Sequence, residues 1–253
     1  MSAAENQRGI EYVRDGAVLH LRFGRPAKKN AITGAMYTAM TAALHAAQDD
    51  PAVQVVLISG NGGCFTAGND LKDFIAAPPN DANAPVVLFL KTLVAFEKIL
   101  IAAVRGPAIG IGTTLLLHCD MVLAAENARF QLPFVDLALV PEAASTLLLP
   151  RLAGYQRAAE LLLLGEAFDA ARGYEIGLVN RVVADSDLDA AALDVARRIA
   201  AKPRAAVLAT KQLLKKPGQD VQARVMEEIE VFRVQLQSAE LRDAIAAFFQ
   251  SGT

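Results

Sequence analysis

The stretch Gly106-Pro107-Ala108-Ile109-Gly110-Ile111-Gly112 separates two apolar segments that predict different secondary structures. Before it, Ile101-Ala102-Ala103-Val104 has no polar side chain, which is typical of a strand buried on both faces of a sheet. After it, residues 113–119 predict a buried helix. A glycine-rich turn between a buried strand and a helix indicates an α/β fold.

A second strand–turn–helix unit lies earlier in the chain. The β-branched run of residues 53–58 predicts a buried strand that ends in Ser59-Gly60-Asn61-Gly62-Gly63, and a short helix follows over residues 71–75. Pro141 and Glu142 predict the first turn of another helix, where proline is favoured. Further predicted elements are strands over residues 18–23 and 121–125, a helix over 33–49 with Thr33 as N-cap, and a helix over 86–100.

From residue 188 onwards, helical periodicity predominates. Four helices are predicted, over residues 188–201, 205–215, 219–236 and 239–249. We therefore expect an α/β core over residues 1–195 and a helical C-terminal region over residues 196–253.

Composition and charge restrict the classes of function. The 253 residues are 53% hydrophobic and 21% charged, which allows a sizeable core and excludes disorder. A net charge of −2 gives no basic field for a nucleic acid or an anionic membrane. Apolar runs are too short to span a bilayer, and the polar N-terminus does not resemble a signal peptide. We expect a cytoplasmic protein with neither a nucleic-acid nor a membrane partner.

Common cofactor and metal motifs are incomplete. The spacing from Gly63 to Gly68 matches a P-loop, but Asn69-Asp70 follows instead of lysine and a hydroxyl residue. The G-x-G that begins at Gly110 has Leu115 where a dinucleotide motif requires its third glycine. The three histidines and two cysteines are dispersed, so we expect no metal site.

Two glycine-rich turns and one acid remain as candidates for chemistry. Backbone N–H groups at helix starts are unpaired, and two of them can converge on one oxygen. Glu142 follows the apolar run of residues 137–141, where a carboxylate is costly unless it has a function or contact with solvent. Taken alone, these features are more typical of structural turns and of an acid that complements a helix dipole than of a catalytic site.

Three motifs occur in the order and at the spacing of one known family. They are Arg25-Pro26-Ala27-Lys28-Lys29-Asn30-Ala31-Ile32, Phe65-Thr66-Ala67-Gly68-Asn69-Asp70-Leu71 and Gly106-Pro107-Ala108-Ile109-Gly110-Ile111-Gly112. With these motifs the chain, from about residue 10 to residue 249, resembles the crotonase (enoyl-CoA hydratase/isomerase) superfamily.

The resemblance implies an α/β fold, a crotonase-like spiral of β-β-α units followed by a C-terminal helical trimerisation region, and a homotrimer or hexamer. It also implies an acyl-CoA thioester as substrate, whose carbonyl would lie in an oxyanion hole formed by the N–H groups of Asn69 and Ile111. The acyl-CoA channel would be lined by Ala67, Gly68, Asn69, Asp70 and Leu71. Ala27, Lys28 and Lys29 would lie near the adenine and phosphates, although both lysines are also compatible with ordinary solvated charges.

Hydratases of this family use two glutamates to hold and activate a water molecule. Their positions correspond here to Thr114 and Phe134, neither of which is an acid. Without these acids a water cannot lose a proton on one side while its proton is delivered on the other, so we do not expect efficient hydration.

The run from Phe130 to Ser145 instead resembles the Δ3,Δ2-enoyl-CoA isomerase branch, particularly its peroxisomal type, which has a similar Pro-Phe and one glutamate in Pro-Glu. The resemblance makes Glu142 the carboxylate that takes a proton from C2 and returns it at C4, a step of fatty-acid β-oxidation. Phe134 would line the substrate site and exclude water. No cofactor is implied, because coenzyme A enters as part of the substrate.

Alternative functions remain open. One is an enoyl-CoA hydratase of broad or weak activity, which acids at positions 114 and 134 would favour. Another is a non-catalytic acyl-CoA-binding homologue, against which Glu142 and both glycine turns argue. A dienoyl-CoA isomerase would also carry an acid near position 134, and the nearby Asp136 is expected to be a loop or rim residue.

Overall fold

The computed structural model describes residues 5–79, 81–215, 221–237 and 239–250. Its larger sheet has seven strands, which are β1 Glu5–Gln7, β2 Ile10–Asp15, β3 Val18–Phe23, β4 Val55–Gly60, β5 Ile99–Val104, β7 Met121–Ala125 and β10 Arg181–Val183. Their order in the sheet is β1-β2-β3-β4-β5-β7-β10, with antiparallel pairing from β1 to β3 and parallel pairing from β3 to β10.

The second, smaller sheet has three short strands. It contains β6 Pro107–Ile109, β8 Arg129–Gln131 and β9 Phe168–Asp169. Two parallel bridges, Ile32 with Asn69 and Thr66 with Ala108, connect the earlier turns to it. Short extended segments from consecutive turns therefore lie next to one another in chain order.

The helices cover both faces of the larger sheet. They are α1 Gly34–Asp49, α2 Leu71–Ala76, α3 Pro85–Ala95, α4 Ile111–Thr114, α5 Ser145–Ala153, α6 Tyr155–Leu164, α7 Ala170–Glu175, α8 Leu188–Ala200, α9 Arg204–Lys215, α10 Val221–Leu236 and α11 Ala239–Gln250. Short 3-10 helices span Pro26–Lys28, Leu115–His118, Val135–Leu137 and Asp185–Asp187. No helix in the described part of the chain has the length and apolar composition needed to cross a membrane.

The two-sided burial predicted for the central strands is confirmed. In β4, Val55 and Leu57 pack into a cluster with α8, while Val56 and Ile58 pack into the main core on the other face. All six residues of β5 are buried. Alternate side chains of one strand thus support two separate cores, which explains why its sequence has no polar alternation.

Several predicted boundaries agree with the structure. The strands β3 and β7 match their predicted ranges, and the side chain of Thr33 accepts a hydrogen bond from Met36 N as the N-cap of α1. The start predicted at residue 219 for α10 lies outside the described residues. The division predicted near residue 195 stays a prediction, and that position lies within α8.

Other predicted elements were wrong. The helix predicted over residues 86–100 ends at Ala95, because Ile99 and Leu100 already pair with β4. The helix predicted over residues 113–119 is divided into α4 and the 3-10 helix Leu115–His118. Pro141 and Glu142 do not open a helix: α5 begins at Ser145, and two residues with positive φ precede it. The elements that the sequence analysis missed are strands β1, β2, β6, β8, β9 and β10 and helices α6 and α7.

Candidate active site

Two backbone N–H groups lie at equivalent positions in adjacent turns. Thr66 and Ala108 are parallel partners, and Asn69 and Ile111 each follow their partner by three residues. Ile111 is the first residue of α4, so its N–H has no acceptor within the helix. Within the described residues, neither the N–H of Asn69 nor that of Ile111 donates to a backbone or side-chain acceptor. Two unpaired donors thus each lie three residues beyond the same bridged pair, in adjacent turns of the chain.

A glycine allows these two turns to approach closely. Gly68 has a φ of +86°, and a Cβ atom there would lie 2.7 Å from the carbonyl oxygen of Ile109. Neither the backbone conformation nor the spacing accommodates a larger residue. The glycine spacing seen in the sequence therefore has a steric cause at this position.

Glu142 is the buried acid of the site. Its residue is 6% exposed, and its Oε1 accepts a 2.6 Å hydrogen bond from the hydroxyl group of Thr114. Burial raises the pKa of Glu142 from its ordinary value of 4.5 to about 7, with a further increase from the charge of Glu228 and an opposing effect of the Thr114 hydrogen bond. A carboxyl with this pKa is able to exchange protons near neutral pH.

Glu142 and Asn69 line the same small cavity, which has a volume of about 30 Å³. The rest of its wall is mainly apolar and consists of Phe74, Pro79, Val86, Val87, Leu90, Ile229, Phe232 and Arg233. An adjoining cavity of about 30 Å³ shares Asn69 and Phe74 and extends towards Tyr37 and Asp70. A larger space of about 370 Å³ between α1, α3 and α10 has no carboxylate in its lining.

The side chain of Asn69 is fixed by Tyr37, which no sequence motif indicated. The hydroxyl group of Tyr37 donates to Asn69 Oδ1 at 2.5 Å. Burial, assisted by the charge of Glu142, raises the pKa of Tyr37 well above its ordinary range, so the phenol keeps its proton. Tyr37 therefore holds the residue that carries one of the two unpaired N–H groups.

The other predicted binding residues have varied surroundings. Ala27, Lys28 and Lys29 are exposed, and Lys29 O accepts from Ala67 N at 2.9 Å, which brings this segment beside residues 67–71. Asp70 caps α2, which begins at Leu71, and forms a 3.1 Å ion pair with Arg25. Phe134 is 6% exposed and packs in the main core rather than on the cavity wall given above.

Two further residues contact the loop that carries Glu142. His118 Nε2 lies 2.7 Å from Ala143 O, and Glu228 Oε2 accepts from Ala144 N at 2.5 Å. No sequence motif indicated a role for His118 or Glu228. Neither residue has a local motif, because each contacts the loop only through the tertiary fold.

A family model described as enoyl-CoA hydratase/isomerase matches residues 14–252. The chain belongs to the enoyl-CoA hydratase/isomerase family. This family acts on acyl-CoA thioesters, and the chain is an enzyme of the family.

The relatives of this chain are named for different activities. It is 34% identical to enoyl-CoA delta isomerase 2 of Rattus norvegicus over 97% of this chain, and it spans 64% of that protein's length. It is 37% identical to the 2,3-dehydroadipyl-CoA hydratase of Escherichia coli over 95% of both chains. Family membership thus leaves the choice between isomerisation and hydration open.

Among solved structures, OdaA of Pseudomonas aeruginosa superposes with a TM-score of 0.93 and 45% sequence identity, covering 95% of this chain and 98% of that one. The fold of this family member is therefore the crotonase fold, with C-terminal helices following the α/β core. The fold implied by the sequence motifs is confirmed.

Proposed function

We propose that this enzyme is a Δ3,Δ2-enoyl-CoA isomerase, which moves the double bond of a 3-enoyl-CoA to the 2-trans position in fatty-acid β-oxidation. The observation that carries the proposal is the environment of Glu142. It is a buried carboxyl with a pKa of about 7 on the wall of an apolar cavity, and its hydrogen-bond partner is a hydroxyl group rather than a second acid.

The reaction requires one base and a site that stabilises negative oxygen. In a 3-enoyl thioester the C2 hydrogens lie between a carbonyl and a double bond, so removing one gives a conjugated dienolate. Glu142 takes this proton, the electron pair moves onto the thioester oxygen, and the same carboxyl then returns the proton at C4. Atoms balance without a water molecule or a cofactor.

The N–H groups of Asn69 and Ile111 would hold the thioester oxygen as its charge develops. Each such donor contributes roughly 2.7–4 kcal/mol by comparison with measured oxyanion holes. Both are unpaired in the described structure and follow the Thr66–Ala108 pair by the same number of residues. We propose that these two donors converge on the thioester oxygen of a substrate whose C2 lies in reach of Glu142.

The remaining parts of the proposal concern the rest of the substrate. The apolar cavity wall favours an aliphatic acyl group, and the exposed Lys28 and Lys29, beside residues 67–71, would contact the phosphates of coenzyme A. We further propose a cytoplasmic homotrimer or hexamer without a metal or other cofactor.

Hydration is the competing reaction. It requires a second acid to hold the water molecule, and Thr114 and Phe134 occupy the two positions where the family's hydratases carry glutamates. Phe134 is also buried in the core, so a water molecule has no polar partner there.

The test supplies the purified enzyme with 3-hexenoyl-CoA and, in a separate assay, with 2-hexenoyl-CoA. We expect double-bond migration with the first substrate and little water addition with the second. Glu142→Gln should lower migration by about 10²–10⁴-fold while leaving thioester binding intact, because it removes the base and keeps the shape. The matched control is Asp136→Asn, which changes an exposed acid and should retain activity.

Fast hydration with negligible migration would contradict the isomerase proposal in favour of a hydratase. Thioester binding without either reaction would support a non-catalytic homologue.

A further inference from the structure

The loop that carries Glu142 is a tight turn with an unusual backbone. Ser145 N donates to Glu142 O at 3.0 Å, which closes a four-residue turn over residues 142–145. Both central residues are left-handed, Ala143 with φ 58° and Ala144 with φ 56°. Glycine or asparagine normally occupies such positions, because a Cβ atom clashes with the backbone there. Two alanines in this conformation need support from the surrounding structure.

His118 supports this turn from the core side. The imidazole is 5% exposed, and its Nε2 lies 2.7 Å from the carbonyl oxygen of Ala143. Burial lowers the pKa of His118 to about 4, so the ring is neutral at physiological pH. Because a carbonyl oxygen only accepts hydrogen bonds, Nε2 carries the ring proton and donates it.

Glu228 supports the same turn from α10. Its carboxylate is 6% exposed; Oε2 accepts from Ala144 N at 2.5 Å, and Oε1 accepts from Thr146 N at 3.1 Å and from the Thr146 hydroxyl group. Arg224, one helical turn earlier, donates to Thr146 Oγ1 at 3.3 Å. The carboxylate therefore also caps the first turn of α5, where negative charge is favourable.

Ala143 O and Ala144 N are the two ends of one peptide group, the central one of the turn. We propose that His118 and Glu228 are positioning residues, which hold this single peptide group from opposite ends and so direct the carboxyl group of Glu142 into the cavity. His118 follows α4, whose first residue bears one unpaired N–H, and Glu228 belongs to the C-terminal helical region. The two contacts therefore connect the turn that carries Glu142 to the α/β core and to the C-terminal helical region. It rests on the proposed function only in treating Glu142 as the reacting carboxyl.

Kinetics provide the first test. His118→Phe removes the donor from the peptide group, and we expect kcat with 3-hexenoyl-CoA to fall by about 100-fold with little change in KM, as for a slightly misplaced catalytic group. His118→Gln keeps a nitrogen donor at a similar distance and should recover most of the loss. Glu228→Gln keeps one acceptor oxygen, so its kcat should lie between those of wild type and Glu228→Ala. Thermal unfolding measures the folded fraction of each variant, and all rates are expressed per mole of folded enzyme.

The deciding test is independent of any activity. In protein labelled with ¹³C-glutamate, the carboxyl signal of Glu142 is identified by its loss in Glu142→Gln, and its titration is followed by NMR. The charged or titratable groups around it are Glu228, Tyr37, Arg233 on the wall of the same cavity and, through Thr146, Arg224. If His118 positions Glu142, His118→Phe should let the carboxyl reach solvent, and its titration midpoint should move down towards the ordinary glutamate range.

A matched control is His20→Phe, since His20 is a buried histidine that contacts Ser59 on the larger sheet. It should leave the Glu142 titration unchanged. An unchanged midpoint in His118→Phe, or an equal change in both variants, would overturn the proposal. If wild-type enzyme does not move the double bond, the proposed function fails, whereas the titration still decides the positioning role.

Discussion

The hydroxyl group of Thr114 donates a 2.6 Å hydrogen bond to Oε1 of Glu142. Thr114 is the last residue of α4, and Ile111, which begins the same helix, bears one of the two unpaired N–H groups. A one-turn helix therefore connects the base to the site proposed for the thioester oxygen. The relative position of the Glu142 carboxyl and the Ile111 N–H group therefore depends on this helix as well as on the loop that carries Glu142.

Thr114→Val should shift the pH dependence of the enzyme. The hydrogen bond lowers the pKa of Glu142, so its removal should raise that pKa above about 7. Because the base must be ionised, the acid limb of kcat/KM should move to higher pH, and activity at pH 7 should fall more than activity at pH 9. Profiles of wild type, Thr114→Val and the surface control Thr210→Val measure this. A shift to lower pH would contradict the assigned contact.

Glu142→Gln should stabilise the protein at alkaline pH. The pKa of Glu142 rises from 4.5 in the unfolded chain to about 7 in the folded state, so the folded state binds more protons between these values. This group therefore lowers the free energy of unfolding as the pH rises from about 4.5 to 7, by an amount of the order of 3 kcal/mol that persists above pH 7.

Denaturation of wild type and Glu142→Gln at pH 4.5 and pH 8 tests this expectation. The stability difference should be small at pH 4.5, where Glu142 is protonated in the folded state and half-protonated in the unfolded chain, and should favour the glutamine variant at pH 8. Asp136→Asn, at an exposed position, should change stability by less than about 0.5 kcal/mol at either pH. An equal difference at both pH values would show that Glu142 is not buried as described.

Gly68→Ala should disrupt the pair of unpaired N–H groups. The added Cβ atom would lie 2.7 Å from Ile109 O, and backbone on both sides would have to move apart. We expect kcat to fall by about 10²–10³-fold, comparable to the loss of one oxyanion donor. The control is Gly63→Ala, which also has a positive φ but has no atom within 4 Å of the added Cβ. Similar losses in both variants would assign the effect to backbone strain alone.

Lys211→Met should loosen the attachment of α9 to the core. Lys211 is buried, and its Nζ donates to Asp120 Oδ2 at 2.7 Å and to Lys98 O at 2.5 Å. Its removal leaves the partly buried carboxylate of Asp120 with the hydrogen bond from Leu100 N but without its cation, at a cost of about 1–3 kcal/mol in the free energy of unfolding. Lys215→Met, at an exposed position on the same helix, should have little effect in the same urea titration. Equal effects would contradict a specific role for the pair.

Local sequence patterns predicted the secondary structure where one period dominates. The strand β3 alternates, the helix α1 has a capping threonine, and both were predicted within one residue of their observed bounds. Pattern failed across residues 86–100, which contain neither glycine nor proline: nothing local tells a helix where to stop, and pairing of Ile99 with β4 decides it. The prediction of a helix start at Pro141 also failed, because no local pattern indicated the left-handed backbone at Ala143 and Ala144.

The sequence by itself determined the family, the crotonase fold and the identity of Glu142 as the acid in an apolar segment, because motif order and local composition are properties of the chain alone. Only the tertiary structure decided what surrounds that acid. The Thr114 hydroxyl, the His118 imidazole and the Glu228 carboxylate reach residues 142–146 from positions 28, 25 and 82 or more residues away in the chain. Burial and hydrogen bonding set a pKa, and both depend on which distant segments the fold brings into contact.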